Sequence, residues 1–247
     1  MINGFVLYTL QSLNAFTYFY RLLVSDMTEK ICLTLLIIFC SLFSQAQVQF
    51  AAYGGPQATS AKYTVNNKKQ PTQFKYGVMA GIGAKVPFEN QLYFFPAIYY
   101  SLKGYKVTLN DPAFPPTEYA KSNNTTIHTV EISPMFQIDL SKNPSHFFLR
   151  FGPAVDFAFS GKEKFDTVSA TGRRAAVERS MVFSFGDYGR FTASGNLHFG
   201  YYSKSGWMIF GFYAHGIGSM NNADNGPVIL HRIIGLSAGW LFHPFKE

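Results

Sequence analysis

The chain has 247 residues, of which 47% are hydrophobic and 14% are charged, and its formal net charge is +7. This length and apolar content exclude an intrinsically disordered chain and allow one large domain or two small ones. With 26 Phe, 15 Tyr and 21 Gly residues, the composition is far from that of a helical protein and favours an all-β chain.

The first element in chain order is a short apolar run at residues 31–43, which charged residues precede and small residues around Ala46 follow. The run is too short to span a bilayer comfortably, and a signal peptidase requires small residues of this kind. We therefore predict a signal peptide at residues 27–46 and a mature domain at residues 47–247. Residues 1–26 are interpreted as an upstream extension from a mis-chosen start codon, with an additional membrane anchor as the alternative.

Both cysteines, Cys32 and Cys40, lie in the predicted signal peptide. The mature domain therefore has no cysteine with which to form a disulfide or a thiolate metal site. It keeps the whole net charge, because the residues before position 47 carry two basic and two acidic side chains. We expect no nucleic acid partner for an exported protein, and we expect outer-membrane lipids, through their phosphates, to supply the counter-charge.

Past the signal peptide, strict alternation of apolar and polar residues recurs, and no window has the periodicity of a helix. In residues 191–201, for example, Phe, Ala, Gly, Leu, Phe and Tyr alternate with Thr, Ser, Asn, His and Gly. Eight segments are predicted to be strands: Val48–Ala58, Phe74–Val86, Leu92–Val107, Ile127–Leu140, Phe147–Phe159, Phe191–Tyr201, Trp207–Met220 and Ile229–Phe242. An even number of strands is what a closed bacterial barrel requires.

The connections between these segments alternate in length, which is an independent signal. Three are short (87–90, 141–145 and 203–206) and four are long (59–73, 108–125, 161–190 and 221–228). Outer-membrane barrels place short turns in the periplasm and long loops outside the cell. The sequence therefore predicts an eight-stranded antiparallel transmembrane β-barrel in the outer membrane of a Gram-negative cell.

A secreted, lipocalin-like soluble barrel is the alternative, because alternation alone does not say which face points inward. The polar face has small, sparsely charged residues such as Gly211, Ser237 and Gly239, which suits a narrow lumen better than a wet exterior. The apolar face is rich in Phe and Ile and is edged by aromatic residues such as Trp207 and Trp240, as in a lipid-facing band. These features favour the membrane barrel.

Alternation also predicts a polar network that fills the lumen. If the loop between the third and fourth strands is centred near residue 117, Lys103 lies opposite Glu131, and both point inward. An unpaired charge in a narrow interior is costly, so we expect a salt bridge between them. By the same count, Asp156 neighbours Asn196. The full predicted network is Lys103, Glu131, Arg150, Asp156, Asn196, His198, Tyr213 and His215.

Several motifs suggest chemistry that their context does not support. The stretch Gly235–Gly239 matches the G-x-S-x-G nucleophile pattern, but it lies in mid-strand and no helix follows it. The glycines at 77, 81 and 83 lack the spacing of a phosphate-binding loop. His198 and His215, predicted to be close in the lumen, have no third ligand nearby. We therefore expect no catalytic residues, no metal and no cofactor.

Basic side chains are concentrated at the predicted outer rim. Arg173, Arg174 and Arg190 lie in or next to the longest loop, and Arg232 lies near the outer end of the last strand. Such residues would lie beside the phosphates of the outer leaflet, and we predict that these four contact lipid headgroups. Solvated loop charges without a partner are the alternative for the loop.

Three stretches of the mature domain resemble the PorT-like outer-membrane β-barrel family: residues 95–104 (FPAIYYSLKG), 130–134 (VEISP) and 150–153 (RFGP). The chain departs from the family pattern at Ser133, an extra residue, and at its C-terminus, which is not aromatic. The resemblance implies an eight-stranded barrel and, for one member of the family, a role in protein secretion.

The sequence therefore leaves three functions open. The first is a non-enzymatic structural or interaction barrel with a filled lumen. The second is a PorT-like component of a secretion machinery, with other envelope or secretion proteins as partners. The third is a lipid-modifying barrel enzyme, which would need a nucleophile, a His and an acid grouped near the outer leaflet. We favour the first.

Overall fold

A computed structural model describes residues 48–168 and 172–242 of the chain. The predicted signal peptide at 27–46, the extension at 1–26 and the extreme C-terminus lie outside the described residues. Within the described ranges, no helix has the length and hydropathy to cross a membrane.

The described residues form twelve strands: β1 (Gln49–Val65), β2 (Lys68–Gln70), β3 (Thr72–Gln73), β4 (Lys75–Glu89), β5 (Leu92–Lys103), β6 (Lys106–Thr108), β7 (Ser122–Asp139), β8 (His146–Val168), β9 (Arg174–Ser180), β10 (Phe191–Tyr202), β11 (Trp207–Gly216) and β12 (Val228–Phe242). Eight of them, β1, β4, β5, β7, β8, β10, β11 and β12, pair in a closed antiparallel ring. The ring closes where β1 pairs with β12, from Phe50 opposite Phe242 to Thr64 opposite Val228. The prediction of an eight-stranded antiparallel barrel is confirmed.

Each barrel strand alternates between a buried, lumen-facing side chain and one exposed on the outer wall. In β7 the odd-numbered residues from Asn123 to Asp139 are all buried. On the outer wall of the same strand, Ile132 is 60% exposed. Since the exposed set of the barrel strands is mainly Phe, Ile, Leu and Val, the outer wall is an apolar band of the kind that faces lipid.

Aromatic residues edge this band at the end of the barrel that carries the short turns. Trp207 pairs with Trp240 across β11 and β12, and the Tyr201 ring lies 5.8 Å from the Trp207 ring. Phe147 stacks on Phe199 with ring centroids 5.7 Å apart. The arrangement matches the aromatic girdle expected at a membrane interface.

The strands continue beyond the band on the side of the long connections, where loops were predicted. β1 extends to Val65 and forms a hairpin with β2 through Asn66 and Asn67, whose φ angles of 47° and 63° match a type I′ turn. β8 extends to Val168 and pairs with β9, so much of the predicted 161–190 loop is strand. The long connections predicted at 59–73 and 161–190 therefore consist largely of strand that extends past the barrel wall.

Packing explains why these extensions are ordered. They enclose a second apolar cluster, separate from the one inside the barrel, and its large members include Tyr63, Tyr105, Tyr188 and Ile229, all fully buried. Burial of such side chains stabilises the paired strands well past the membrane. We call this folded outer region the outer cap.

Candidate functional site in the barrel lumen

A cluster of three charged side chains lies in the part of the lumen towards the outer cap. Lys103 of β5 places its Nζ atom 2.8 Å from Oε1 of Glu131 on β7 and 3.1 Å from Oδ1 of Asp156 on β8. All three residues are buried, with exposures of 4% or less. The Thr192 hydroxyl donates to Asp156 at 2.9 Å. One ammonium group therefore bridges two carboxylates, which together would repel each other in an interior of low dielectric.

The structure has the expected contact between Lys103 and Glu131, but the predicted strand register is wrong by four residues. Lys103 lies opposite Ile127, and Glu131 lies opposite Tyr99. The midpoint of the pairing falls at Pro115 rather than at residue 117. The two charged side chains are long enough to meet across this offset.

The same error affects the second predicted neighbour pair. Asp156 lies opposite Thr192, whereas Asn196 lies opposite Gly152. The Asn196 amide instead donates to the Tyr99 hydroxyl at 2.7 Å and to the Ser133 hydroxyl at 3.3 Å. Asn196 thus belongs to a polar layer next to the charged cluster rather than to the cluster itself.

A second charged cluster, towards the short turns, is centred on Arg150. This fully buried side chain donates from Nε to the side-chain Oε1 of Gln137 at 2.6 Å and from Nη2 to the Tyr202 hydroxyl. Its guanidinium carbon lies 3.6 Å from the centre of the Phe95 ring, a cation–π contact. The ring of Phe148 lies on the guanidinium as well, at 4.4 Å.

Three further side chains extend this cluster to the end of the lumen, and the sequence-based network did not include them. Lys85 contacts Asp139, Asp139 lies 3.1 Å from His146, and all three are buried. Lys85 and Asp139 could be predicted from the sequence, because each lies at an inward-facing position of a predicted strand. His146 directly precedes the predicted start of its strand.

His198 lies in the lumen as predicted from its parity, stacked on Phe210 with ring centroids 5.2 Å apart. Tyr213 and His215 do not, and their assignment to the lumen network was wrong. The inward residues of β11 are even-numbered, including Phe210, and the odd-numbered ones are exposed apart from Gly211, which is half-buried. Tyr213 therefore lies on the outer wall, where its hydroxyl group is 2.9 Å from Nδ1 of His215.

Gly211 shares the outward parity of Tyr213 and was also wrongly placed on the lumen face. Both errors have one physical cause: small or polar residues favour an inward assignment, whereas on this strand the apolar neighbours Phe210 and Phe212 point inward. Among the described residues, no group of three or more His, Cys, Asp or Glu side chains could hold a metal ion.

Side chains fill the lumen between the two charged clusters. One interior cavity beside Lys103 and His231, and another beside Glu131 and His198, measure about 10 Å³ each. A cavity of this size holds about one water molecule. The described lumen is therefore closely filled beside these residues.

A third polar cluster, which sequence reasoning missed, lies in the outer cap. The buried carboxylate of Glu163 accepts from Arg179 Nε at 2.7 Å, from the Tyr188 hydroxyl at 2.7 Å and from the Asn123 amide at 3.2 Å. Arg179 also donates to the Pro116 carbonyl at 3.0 Å, which ties two outer segments together. Burial raises the pKa of the Tyr188 phenol well above its ordinary value.

The four arginines predicted to contact lipid headgroups lie in different settings. Arg173 and Arg174 are exposed beside and at the start of β9. Arg190 donates to the Ala158 carbonyl at 3.4 Å and lies over the Phe183 ring. Arg232 points outward from β12, opposite His215 on β11 and Ser60 on β1.

Comparison with known proteins assigns the chain to a family. A family model described as "Outer membrane protein beta-barrel domain" matches residues 43–223. No curated protein sequence matches the chain.

Three solved outer-membrane structures are similar to the chain at low identity. The Yersinia pestis attachment invasion locus protein Ail is 11% identical with a TM-score of 0.41, and the match covers 78% of this chain and 98% of Ail. Neisserial surface protein A is 12% identical with a TM-score of 0.37, covering 79% and 99% of the two chains. OprG from Pseudomonas aeruginosa is 9% identical with a TM-score of 0.36, covering 79% and 96%.

Proposed function

Because the chain belongs to the outer membrane protein beta-barrel domain family and lies in the outer membrane, we propose that it is a non-enzymatic structural or interaction barrel with a closed lumen. The observation that carries the proposal is the filled interior. The Arg150 cluster and the Lys103 cluster occupy two successive levels of an eight-stranded barrel, which has an interior just wide enough for side chains to fill.

With transport through the lumen disfavoured, the regions left to interact are the outer cap and the outer wall. The cap is a folded unit with its own apolar cluster and its own Glu163–Arg179 ion pair. Such a unit holds its surface in one conformation, which lowers the entropic cost of binding a partner. The proposed partners are outer-membrane lipids at the wall and other envelope proteins at the cap.

The distribution of outward-facing charge supports an orientation with the cap outside the cell. In β1, β8 and β12, the first charged residues met on the outer wall when moving from the apolar band towards the cap are Lys62, Lys162 and Arg232, all basic and exposed. Basic side chains at this level can contact the phosphates of the outer leaflet.

The closed lumen predicts that the purified protein gives no steady conductance in a planar lipid bilayer. A variant in which Arg150, Phe95 and Tyr202 are all replaced by Ala removes most of one filled level and is expected to leak ions if it folds. Stable channels formed by the wild-type protein would contradict the proposal.

The proposed orientation predicts where trypsin cuts the protein in intact cells. Cleavage is expected at Arg173 or Arg174, which are exposed in the cap. Lys142 and Lys204 are exposed in the short turns and serve as an internal control, because they should be cut only after the outer membrane is broken. Immunoblotting of the fragments distinguishes the two sets, and cleavage of the short turns first would reverse the orientation.

A component of a protein-secretion machinery is the second candidate function. It is favoured by the three stretches that resemble the PorT-like family, at residues 95–104, 130–134 and 150–153. The edge strand β9, paired only on its β8 side in the main sheet, offers free backbone groups to a partner strand. Chemical cross-linking in cells followed by purification through the barrel tests this candidate. Recovery of one stoichiometric envelope partner, lost when Ala176 is replaced by Pro, is the expected result.

A further inference from the structure

The outer wall of the barrel has an apolar groove that the closed lumen does not explain. It crosses β1, β12 and β11 and is bordered by Tyr76 of β4 and by β10. Its volume is about 670 Å³, and its lining residues include Pro56, Ala58, Tyr76, Gly211, Tyr213 and Ile234. The small residues form its floor, while Tyr76, 86% exposed, and Tyr213, 41% exposed, stand beside them. Gly211, which has no side chain, deepens the groove.

A basic side chain lies at the end of this groove nearest the outer cap. Arg232 has the same outward parity as Ile234 and lies two residues further towards the cap on β12. Strand pairing sets His215 on one side of it and Ser60 on the other. Lys62, two residues beyond Ser60 and exposed, adds a second positive charge at this level.

Acidic side chains do not oppose this charge on the same wall. The outward positions of β1, β11 and β12 carry no Asp or Glu anywhere along the described strands. The groove and its end thus combine an extended apolar surface with a cation at the end nearest the outer cap, and a cation there can attract a lipid phosphate.

We propose that this groove is a binding site for a phosphorylated lipid of the outer leaflet, whose acyl chains lie against Ala58, Gly211 and Ile234 and whose phosphate accepts hydrogen bonds from Arg232. A planar guanidinium offers two parallel donors to phosphate oxygens, which suits this role. The proposal deepens the proposed function, because it gives the lipid partner of the wall a site and a chemical class. It rests on the cap facing outward and does not depend on the lumen being closed.

The groove selects a lipid rather than free phosphate, because one exposed guanidinium binds phosphate weakly in water. A molecule can use the apolar contacts along the groove and the positive charge at its end together only if it has both acyl chains and a phosphate group. An acyl chain without a phosphate, or a phosphate without acyl chains, uses half of the site.

Native mass spectrometry of the purified full-length barrel in neutral detergent tests the site, with phosphatidic acid as the probe. Diacylglycerol with the same acyl chains and inorganic phosphate are the comparison ligands. The wild-type protein is expected to retain phosphatidic acid over diacylglycerol and to ignore inorganic phosphate. Arg232→Gln is expected to lower retention of phosphatidic acid about fivefold, as for one basic group near a lipid surface.

Two further variants separate a specific site from general charge and from misfolding. Ala58→Phe fills the groove floor and is expected to lower retention of both lipids while leaving Arg232 in place. Lys142→Gln removes an exposed positive charge at the opposite end of the barrel and is expected to bind like the wild type. Each variant is first checked for the folded, heat-modifiable form on unheated gels. Equal retention by the wild type and Arg232→Gln, or an equal loss for Lys142→Gln, overturns the proposal.

Discussion

Replacing Lys103 with Met is expected to destabilise the folded barrel by about 3 to 5 kcal/mol, the usual cost of removing one partner of a buried ion pair. In the wild type, the ammonium group lies within 3.1 Å of both Glu131 and Asp156. Without it, two carboxylates remain in a lumen where neither is exposed by more than 4%. The repulsion between the two carboxylates and their lost hydration both destabilise the folded state. Equilibrium unfolding in urea, with the protein folded into lipid vesicles, measures the loss.

A combined variant tests whether charge, rather than packing, causes this loss. Lys103→Met together with Glu131→Gln and Asp156→Asn has no charge in the cluster and nearly the same volume. It is therefore expected to recover part of the lost stability, since neutral amides cost less to bury than unpaired carboxylates. Lys164→Met is the matched control, because Lys164 is 60% exposed and its ion pair with Glu178 is worth little. A Lys103→Met variant as stable as this control would show that the cluster does not hold the lumen together.

Most of the barrel was predictable from the sequence, because a strand that separates lipid from a lumen must alternate. The outward side chains of β7 and β10, such as Ile132 and Leu197, are apolar. Because few residue types are tolerated in contact with hydrocarbon, apolar residues recur regularly at every second position. The same logic placed Lys103, Glu131, Arg150 and the other correct members of the network inside. Each was found from parity alone.

Register and the ends of strands were not predictable in the same way. Alternation is unchanged when one strand slides by an even number of residues, so the four-residue error that separated Lys103 from its assumed partner kept every side chain on its correct face. The extensions of β1 and β8 into the cap depend on long-range packing around Tyr188. No local pattern marks such packing.

The errors at Tyr213 and His215 have a different origin. On β11, Tyr, His and Gly face outward while Phe210 and Phe212 face the lumen, which reverses the usual preference on both faces. The lumen accepts these phenylalanines because Gly235 leaves room for the Phe212 ring, whose nearest atom lies 2.4 Å from where a Gly235 Cβ would be. The outer wall accepts Gly211 and Tyr213 at the proposed lipid groove. β11, the strand whose two faces are assigned wrongly from polarity, is thus also a strand that lines the proposed lipid groove.

An arginine placed on the outer wall at mid-membrane depth is expected to cost about 2 to 4 kcal/mol of folding free energy. Leu197 on β10 lies opposite Phe151 on β8, and their side chains are 48% and 40% exposed on that wall. Leu197→Arg and Phe151→Arg must each bring a guanidinium into hydrocarbon, so the two losses should be similar.

A depth series along β10 makes the prediction specific to the membrane. Phe191→Arg and Tyr201→Arg, near the two ends of the strand, are expected to cost only about 0 to 1 kcal/mol because a charge there reaches the interface. Phe185→Arg, at a cap position that is 95% exposed, is the control and is expected to have little effect. Urea unfolding of each variant in the same vesicles gives the profile. A cost at Leu197 no greater than the cost at Phe185 would mean that this wall does not face lipid.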